Sequence, residues 1–285
     1  MGKRSSATSK PTELTIKPQR MGFEFEDSVP RYWFDDDPVV THFLNALSIC
    51  FPDGERFFVD SVRAYRDRIP DEERQKDITG FMGQETMHGM EHTTFNRFLA
   101  ERGYERITDE ALATTRMLLK GARVRFTPRE MLATTAALEH VTAVLASTIL
   151  SDPSVVAAMH PDVRPLWVWH SIEEIEHKSV AFDLYRDIDG RQLQRKMLLV
   201  LGTLYLAGYS ALYTSKLLAH DRAHLKPLTV ARGLWRLFGV NGLVTRAVPG
   251  YLDFFRDDFH PWQHANEALV SQWRAELDQG APASA

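Results

Sequence analysis

Glutamates and histidines recur in this chain where a helical core would place leucine, on four separate apolar stripes. The clearest runs Ile78, Phe81, Glu85, His88, His92, Phe95, Leu99. Its steps alternate three and four residues, the spacing of one buried helix face. A helix from about Asp71 to Arg102 is expected there. Another is expected from Thr127-Pro128-Arg129-Glu130, a capping box with proline in the first turn. Its stripe is Leu132, Thr135, Glu139, Thr142, Ala146, Ile149. A third stripe, Trp167, His170, Glu174, His177, Ala181, Leu184, follows Pro161-Asp162. The first helix of the set is expected to start after Pro52, with Asp53 as N-cap. Its face, Phe58, Val59, Val62, Tyr65, Ile69, carries Glu55. Strand-like alternation is scarce, so the expected class is all-α: a four-helix bundle of the ferritin-like kind, with an N-terminal arm and a C-terminal helical extension.

Burying carboxylates and imidazoles is costly unless they pair or bind a cation. No Lys or Arg shares the four stripes; Arg63 and Arg66 are the nearest partners for an alternative of core salt bridges. In chain order the inward groups read Glu55, then Glu85 with His88, then Glu139, then Glu174 with His177. One Glu from each of two helices and a Glu-x-x-His pair from each of the others is the donor set of di-iron and di-manganese carboxylate bundles. The three-residue spacing puts Glu and His on one face. These six are the candidate ligands of two metal ions. Carboxylates with one imidazole per ion suit iron first and manganese next, with zinc open. His92 and His170 lie on the same faces, as an extra ligand or as supporting partners. His140 points roughly 100° away from Glu139 and is not expected to ligate. Glu173 and Glu176 are read as solvent-side or supporting. A competing motif uses some of the same residues. His88-Gly89-Met90-Glu91-His92 fits His-x-x-Glu-His, the inverted zinc-hydrolase pattern with Glu91 as base. It leaves Glu55, Glu139, Glu174 and His177 unexplained.

Residues 1–37 are expected to form an arm, rich in proline and anchored by Trp33 and Phe34. Residues 38–190 hold the bundle and 191–285 the extension. Within it, 197–219 is apolar nearly all round, expected as a fifth core helix or a lid, with membrane contact as the alternative. Amphipathic pieces with Trp235, Phe238, Arg232 and Arg236 keep peripheral membrane contact open. The formal net charge of −4 gives no general attraction to nucleic acid, and none is expected as partner. The single cysteine, Cys50, lies in an apolar run and is read as a small buried hydrophobe. With no apolar leader at the N-terminus, a cytoplasmic setting is expected. A homodimer is left open.

Several segments carry a resemblance: Arg20-Met21-Gly22-Phe23-Glu24-Phe25, Ala46-Leu47-Ser48 with Phe51-Pro52-Asp53-Gly54-Glu55-Arg56-Phe57-Phe58, Gly83-Gln84-Glu85 with His88, His92 and Asn96, Leu138-Glu139-His140-Val141-Thr142, Trp169-His170-Ser171-Ile172-Glu173-Glu174-Ile175-Glu176-His177-Lys178 and Phe259-His260-Pro261-Trp262. Over about residues 18–265 the chain resembles the bacterial family called predicted metal-dependent hydrolases. The resemblance implies a ferritin-like fold and metal-dependent chemistry. The donor set itself leads, by analogy of fold, to O₂-activating oxidation or oxygenation of a hydrophobic substrate. No glycine-rich dinucleotide fingerprint is present, so such a reaction would draw electrons from a partner protein. Metal-dependent hydrolysis is the alternative, and non-enzymatic iron binding a third reading.

Overall fold

The computed structural model describes residues 9–11 and 14–280. The first eight residues of the expected arm, and the last five of the chain, lie outside them. Among the described residues there is no strand, only an isolated bridge between Phe34 and Met159, and eleven α-helices account for the fold. They are α1 (Pro38–Arg63), α2 (Glu72–Leu99), α3 (Glu105–Arg125), α4 (Pro128–Leu150), α5 (Pro153–Ala157), α6 (Arg164–His177), α7 (Val180–Asp187), α8 (Gln192–His220), α9 (Pro227–Phe238), α10 (Leu243–Asp253) and α11 (Glu267–Gly280). The protein is all-α, as the stripes predict, and the packing of α1, α2, α4 and α6 against one another is compatible with a ferritin-like bundle.

Two caps fall where the sequence puts them. Asp71 accepts from the Arg74 N–H to start α2, and Thr127 and Glu130 form the capping box of α4. The expected start of α1 is wrong. The helix begins at Pro38, where Asp37 accepts from the N–H groups of Val39 and Val40. Pro52 then lies inside it. A mid-helix proline removes one hydrogen bond and costs roughly 3 kcal/mol, which is why Pro52-Asp53-Gly54 reads as a helix start. Here the carbonyl of Ser48, four residues back, receives its donor from the side chain of Asn96 on α2, at 3.0 Å. Helix α3 was not foreseen. It lies along α1, held by Arg116 on Asp53 and Arg123 on Asp60, both at 2.9 Å.

The arm folds back over α2. Backbone N–H groups of Met21, Gly22 and Phe23 donate to the Glu91 carboxylate at 3.1, 2.6 and 3.0 Å. Gly22 sits at φ +65°, a turn that other residues rarely adopt. Trp33 and Phe34 are buried as anchors, Trp33 stacking on Trp167.

Helix α8 contains the apolar stretch 197–219. Leu198, Leu199, Gly202, Tyr209, Tyr213 and Leu217 are buried where it packs on α1 and α4, so one face serves as a fifth core helix. The other face carries exposed Met197, Leu201, Leu204 and Leu212. Helices α4 and α8 are long and apolar enough to cross a membrane, but most of the apolar window of α4 is buried inside the protein. Helices α9, α10 and α11 pack on α1, α4 and α6 respectively.

Candidate metal centre

The bundle brings all six predicted ligands to one place. Glu55 of α1, Glu85 and His88 of α2, Glu139 of α4, and Glu174 and His177 of α6 are each buried. His177 Nε2 lies 3.0 Å from Glu85 Oε1, 3.2 Å from Glu139 Oε2 and 3.7 Å from Glu174 Oε2. His88 Nδ1 lies 3.9 Å from Glu85 Oε1 and 3.8 Å from Glu174 Oε1. His170 joins them, its Nε2 at 3.2 Å from Glu174 Oε1. Gly89 permits this approach: a Cβ there would stand 3.2 Å from Glu55 Oε2. Among the described residues no Lys or Arg pairs with these carboxylates. Arg63 pairs with Asp60, and Arg66 binds Gln75 and Thr79.

The donors sort into groups. Donor atoms of Glu55, His88 and His170 all lie within 4.8 Å of one another, and so do those of Glu85, Glu139 and His177. Glu174 lies between them. Its Oε1 faces His88 and His170, and its Oε2 faces His177 and accepts from the Thr142 hydroxyl. Glu85 Oε1 likewise stands between His177 and His88.

Hydrogen bonds outside the cluster orient the imidazoles. Gln84 Oε1 is 3.0 Å from His177 Nδ1, and the amide N–H of Gln84 donates to Glu176, which Arg274 also holds. With Nδ1–H donating to Gln84, His177 turns a lone pair on Nε2 toward the carboxylates. A longer chain fixes His170. Asn96 Nδ2 donates to the Ser48 carbonyl, so its Oδ1 accepts from the Ser48 hydroxyl at 2.8 Å. The Ser48 oxygen is then an acceptor for His92 Nδ1 at 2.8 Å. His92 Nε2 must in turn accept from His170 Nδ1 at 3.1 Å. His170 Nε2 is thereby left with a lone pair aimed at Glu174. His92 itself faces Ser48 and His170, not the carboxylates. His88 places Nε2 3.1 Å from Glu173, whose other oxygen accepts from Trp169.

Unprotonated nitrogens against carboxylates would repel unless a cation lies between them. Both carboxylate oxygens of Glu55, Glu85 and Glu139, both ring nitrogens of His88, and His177 Nε2 are buried without a hydrogen bond. Unpaired buried polar atoms are rare in folded proteins, and this many in one cluster fit metal ligation. The protonation pattern of the bare cluster reflects the same crowding. Burial and then neighbouring carboxylates push Glu55 and Glu139 well up. Burial also raises Glu85. Burial would do the same to Glu174, but His170 and His177 hold it well below the usual range. His177 is drawn well up against its burial, chiefly by Glu139. Burial and the neighbouring His170 push His88 well down.

The structure also places the remaining candidate residues. Glu173 and Glu176 are not solvent-side; both are buried, and burial pushes Glu173 up to about 8. Glu91, the base of the inverted zinc motif, binds the N-terminal arm and is turned from the cluster. His140 lies apart, against Phe254 and Phe259, with Nε2 on the Gly250 carbonyl. Cys50 is buried and pushed up to about 12, which removes it as a nucleophile. Ser48, Asn96 and Gln84 were not singled out as supporting residues; their roles appear only once the helices are docked.

No curated protein and no solved structure matches the chain significantly. The profile of one family, described as "Predicted metal-dependent hydrolase", matches residues 17–265. A match over that share of the sequence, on a chain whose buried His and Glu groups can hold metal, places this protein in the predicted metal-dependent hydrolase family.

Proposed function

We propose that this chain is a dinuclear metal enzyme. The observation that carries the reading is Glu174, whose two oxygens face two different groups of donors. Glu55, His88 and His170 would hold one ion, and Glu139 and His177 the other. Glu85 and Glu174 would be shared between them. His92 is a positioning residue for His170, as Gln84 is for His177. Carboxylate oxygens dominate the set, which favours iron or manganese over softer ions. Bound there, two such ions would supply Lewis acidity for hydrolysis or, as iron, the electrons for O₂ chemistry.

Hydrolysis is the first reading, because the family description names it. On either reading the chain's own groups orient and shield the site. Phe51 stacks on His170, and Trp169 packs edge-on against His88, excluding water from that side. Thr142 fixes one Glu174 oxygen by donating to it. A second reading, oxidation of a hydrophobic substrate with electrons from a partner protein, draws support from the donor set. Four carboxylates and three imidazoles in a dry core suit iron that changes oxidation state.

Metal analysis of the purified chain, followed by anaerobic ferrous loading and admission of air, tests both. Two ions per chain are expected. An ester-hydrolysing activity that survives without oxygen supports hydrolysis. An absorbance change on admitting air, with no hydrolysis, moves the assignment to oxidation. One zinc per chain would end the dinuclear reading.

A further inference from the structure

A cavity of about 280 Å³ lies between α1, α3, α4 and α8. Its wall includes Glu55 and Thr142, the residue that donates to Glu174, so it abuts the metal centre on one side. The rest is apolar, with Phe57, Leu119, Leu138 and Leu198 prominent. Tyr205 adds to this wall a buried phenol that makes no hydrogen bond. The threonine hydroxyls are engaged: Thr115 donates to Ala111 and Thr134 to Glu130, each within its own helix, and Thr142 to Glu174. A sealed apolar cavity of roughly 150 Å³ takes benzene. This one has room for a single medium-length alkyl chain or two small rings, and is too small for a two-chain lipid.

The lips are α3 and α8. Leu118 and Leu201 line the cavity while remaining 41% and 52% exposed. Arg125, also in the wall, is exposed at the end of α3. Its neighbours on that helix are occupied, Arg116 by Asp53 and Arg123 by Asp60. No carboxylate among the described residues pairs with Arg125. The same two ion pairs fix the register of α3 on α1: each joins residues 63 apart, so Leu118 stands level with Glu55. Arg125 is seven residues further on, about 10 Å along the helix.

We infer that this cavity binds a single-chain carboxylic acid, its anionic head on Arg125 and its apolar body running inward past Glu55. Which part of the substrate meets the metals then depends on chain length, with atoms about 10 Å from the head reaching that level. The inference rests on the dinuclear reading for the cavity's purpose, but its binding prediction does not need metal.

Calorimetric titration of the full-length chain, as purified and after chelation, with decanoate, butanoate and decylamine tests it. Decanoate is expected to bind in both states, and butanoate and decylamine at least about tenfold more weakly. Arg125→Gln, at an exposed position, should weaken decanoate about fivefold, the range of one exposed ion pair, and leave metal content unchanged. Ala122→Phe, which fills the cavity, should abolish decanoate binding; Leu201→Trp at the lip does the same if the first variant fails to fold. Equal binding of decylamine and decanoate, or decanoate affinity unaffected by both cavity variants, overturns the inference. A purified chain that binds decanoate but takes up no metal refutes the dinuclear reading and leaves the cavity assignment standing.

Discussion

Replacing His92 with phenylalanine separates a supporting histidine from a ligand. The substitution keeps an aromatic ring of similar size beside Phe51 and Trp167. It removes the acceptor for His170 Nδ1, now 3.1 Å away. A buried donor left unpaired costs about 1–3 kcal/mol. His170 can escape that cost by rotating or changing tautomer, and either change turns Nε2 from the cluster. Loss of such a partner lowers metal affinity about 10–100-fold, or roughly 1.4–2.7 kcal/mol. The effect should fall on one ion only, because His177 keeps its own hydrogen bond to Gln84. Competition against a graded series of chelators, with metal content read after each step, should show one wild-type ion and one weakened ion. His140→Phe, which alters a buried histidine remote from the cluster, is the control and should leave both affinities unchanged. Two ions of wild-type affinity in His92→Phe would refute the hydrogen-bond chain that orients His170. Complete loss of one ion at every chelator strength would make His92 a ligand.

Three further outcomes are expected. Glu85→Ala and Glu174→Ala should each lose metal while retaining helical circular dichroism; full metal content in both would remove the proposed ligands. Glu91→Ala should lower stability by roughly 2 kcal/mol, about 5 °C in Tm, and open the segment around Gly22 to protease, because three backbone donors lose their acceptor. Its metal content should not change, and loss of a metal ion from a folded variant would restore the inverted zinc motif. Metal and pH should act together. Glu55, Glu85 and Glu139 are held above the ordinary 4.5, so the stability they contribute to the metal-free fold is full below that value and lost as pH rises. His177, raised above 6.5, loses its contribution as pH rises through its folded value. Glu174 is lowered and acts in the opposite sense, contributing above 4.5 and losing as pH falls. Ligation needs deprotonated donors, so it must displace the protons that the three raised carboxylates and the raised histidine hold. The gap in Tm between loaded and chelated protein should therefore widen from about pH 5 to pH 8; a constant gap would refute this.

Donor types were legible in the sequence because they break a periodic rule. Glu85, His88, Glu174 and His177 interrupt three-four apolar stripes, and the spacing alone says they share a face. Glu139 was legible for the same reason. Glu55 was placed on the right face even though its helix was started at the wrong residue, since Asp53 to Arg63 keeps its phase whether or not the helix extends backward; Tyr65 and Ile69 of the expected face lie beyond the helix end. Helix α3 stayed hidden because its stripe carries few large apolar residues. Of its buried positions Ile107, Thr108, Ala111 and Thr115, Ile107 alone is large and apolar. The outward leucines of α8 were legible as apolar, but only docking distinguishes its packed face from its exposed one.

The roles of the histidines were not legible, and the reason lies at Pro52. Proline there deprives the Ser48 carbonyl of its helical donor, and Asn96 supplies one from another helix. That bond orients the Asn96 amide, which sets the Ser48 hydroxyl, then His92 and finally the lone pair of His170. Each link joins residues 44 or more positions apart, except the first, which is local to α1. A sequence pattern records that His92 and His170 share the faces of their neighbours, but it holds no information on which nitrogen carries a proton. The residue that looks like a break in the first helix is thus where the orientation of the imidazole facing Glu174 begins. Pro52→Ala restores the Ser48 carbonyl's own donor, so the physical role of the proline is to make Asn96 necessary, and with it the whole chain of hydrogen bonds.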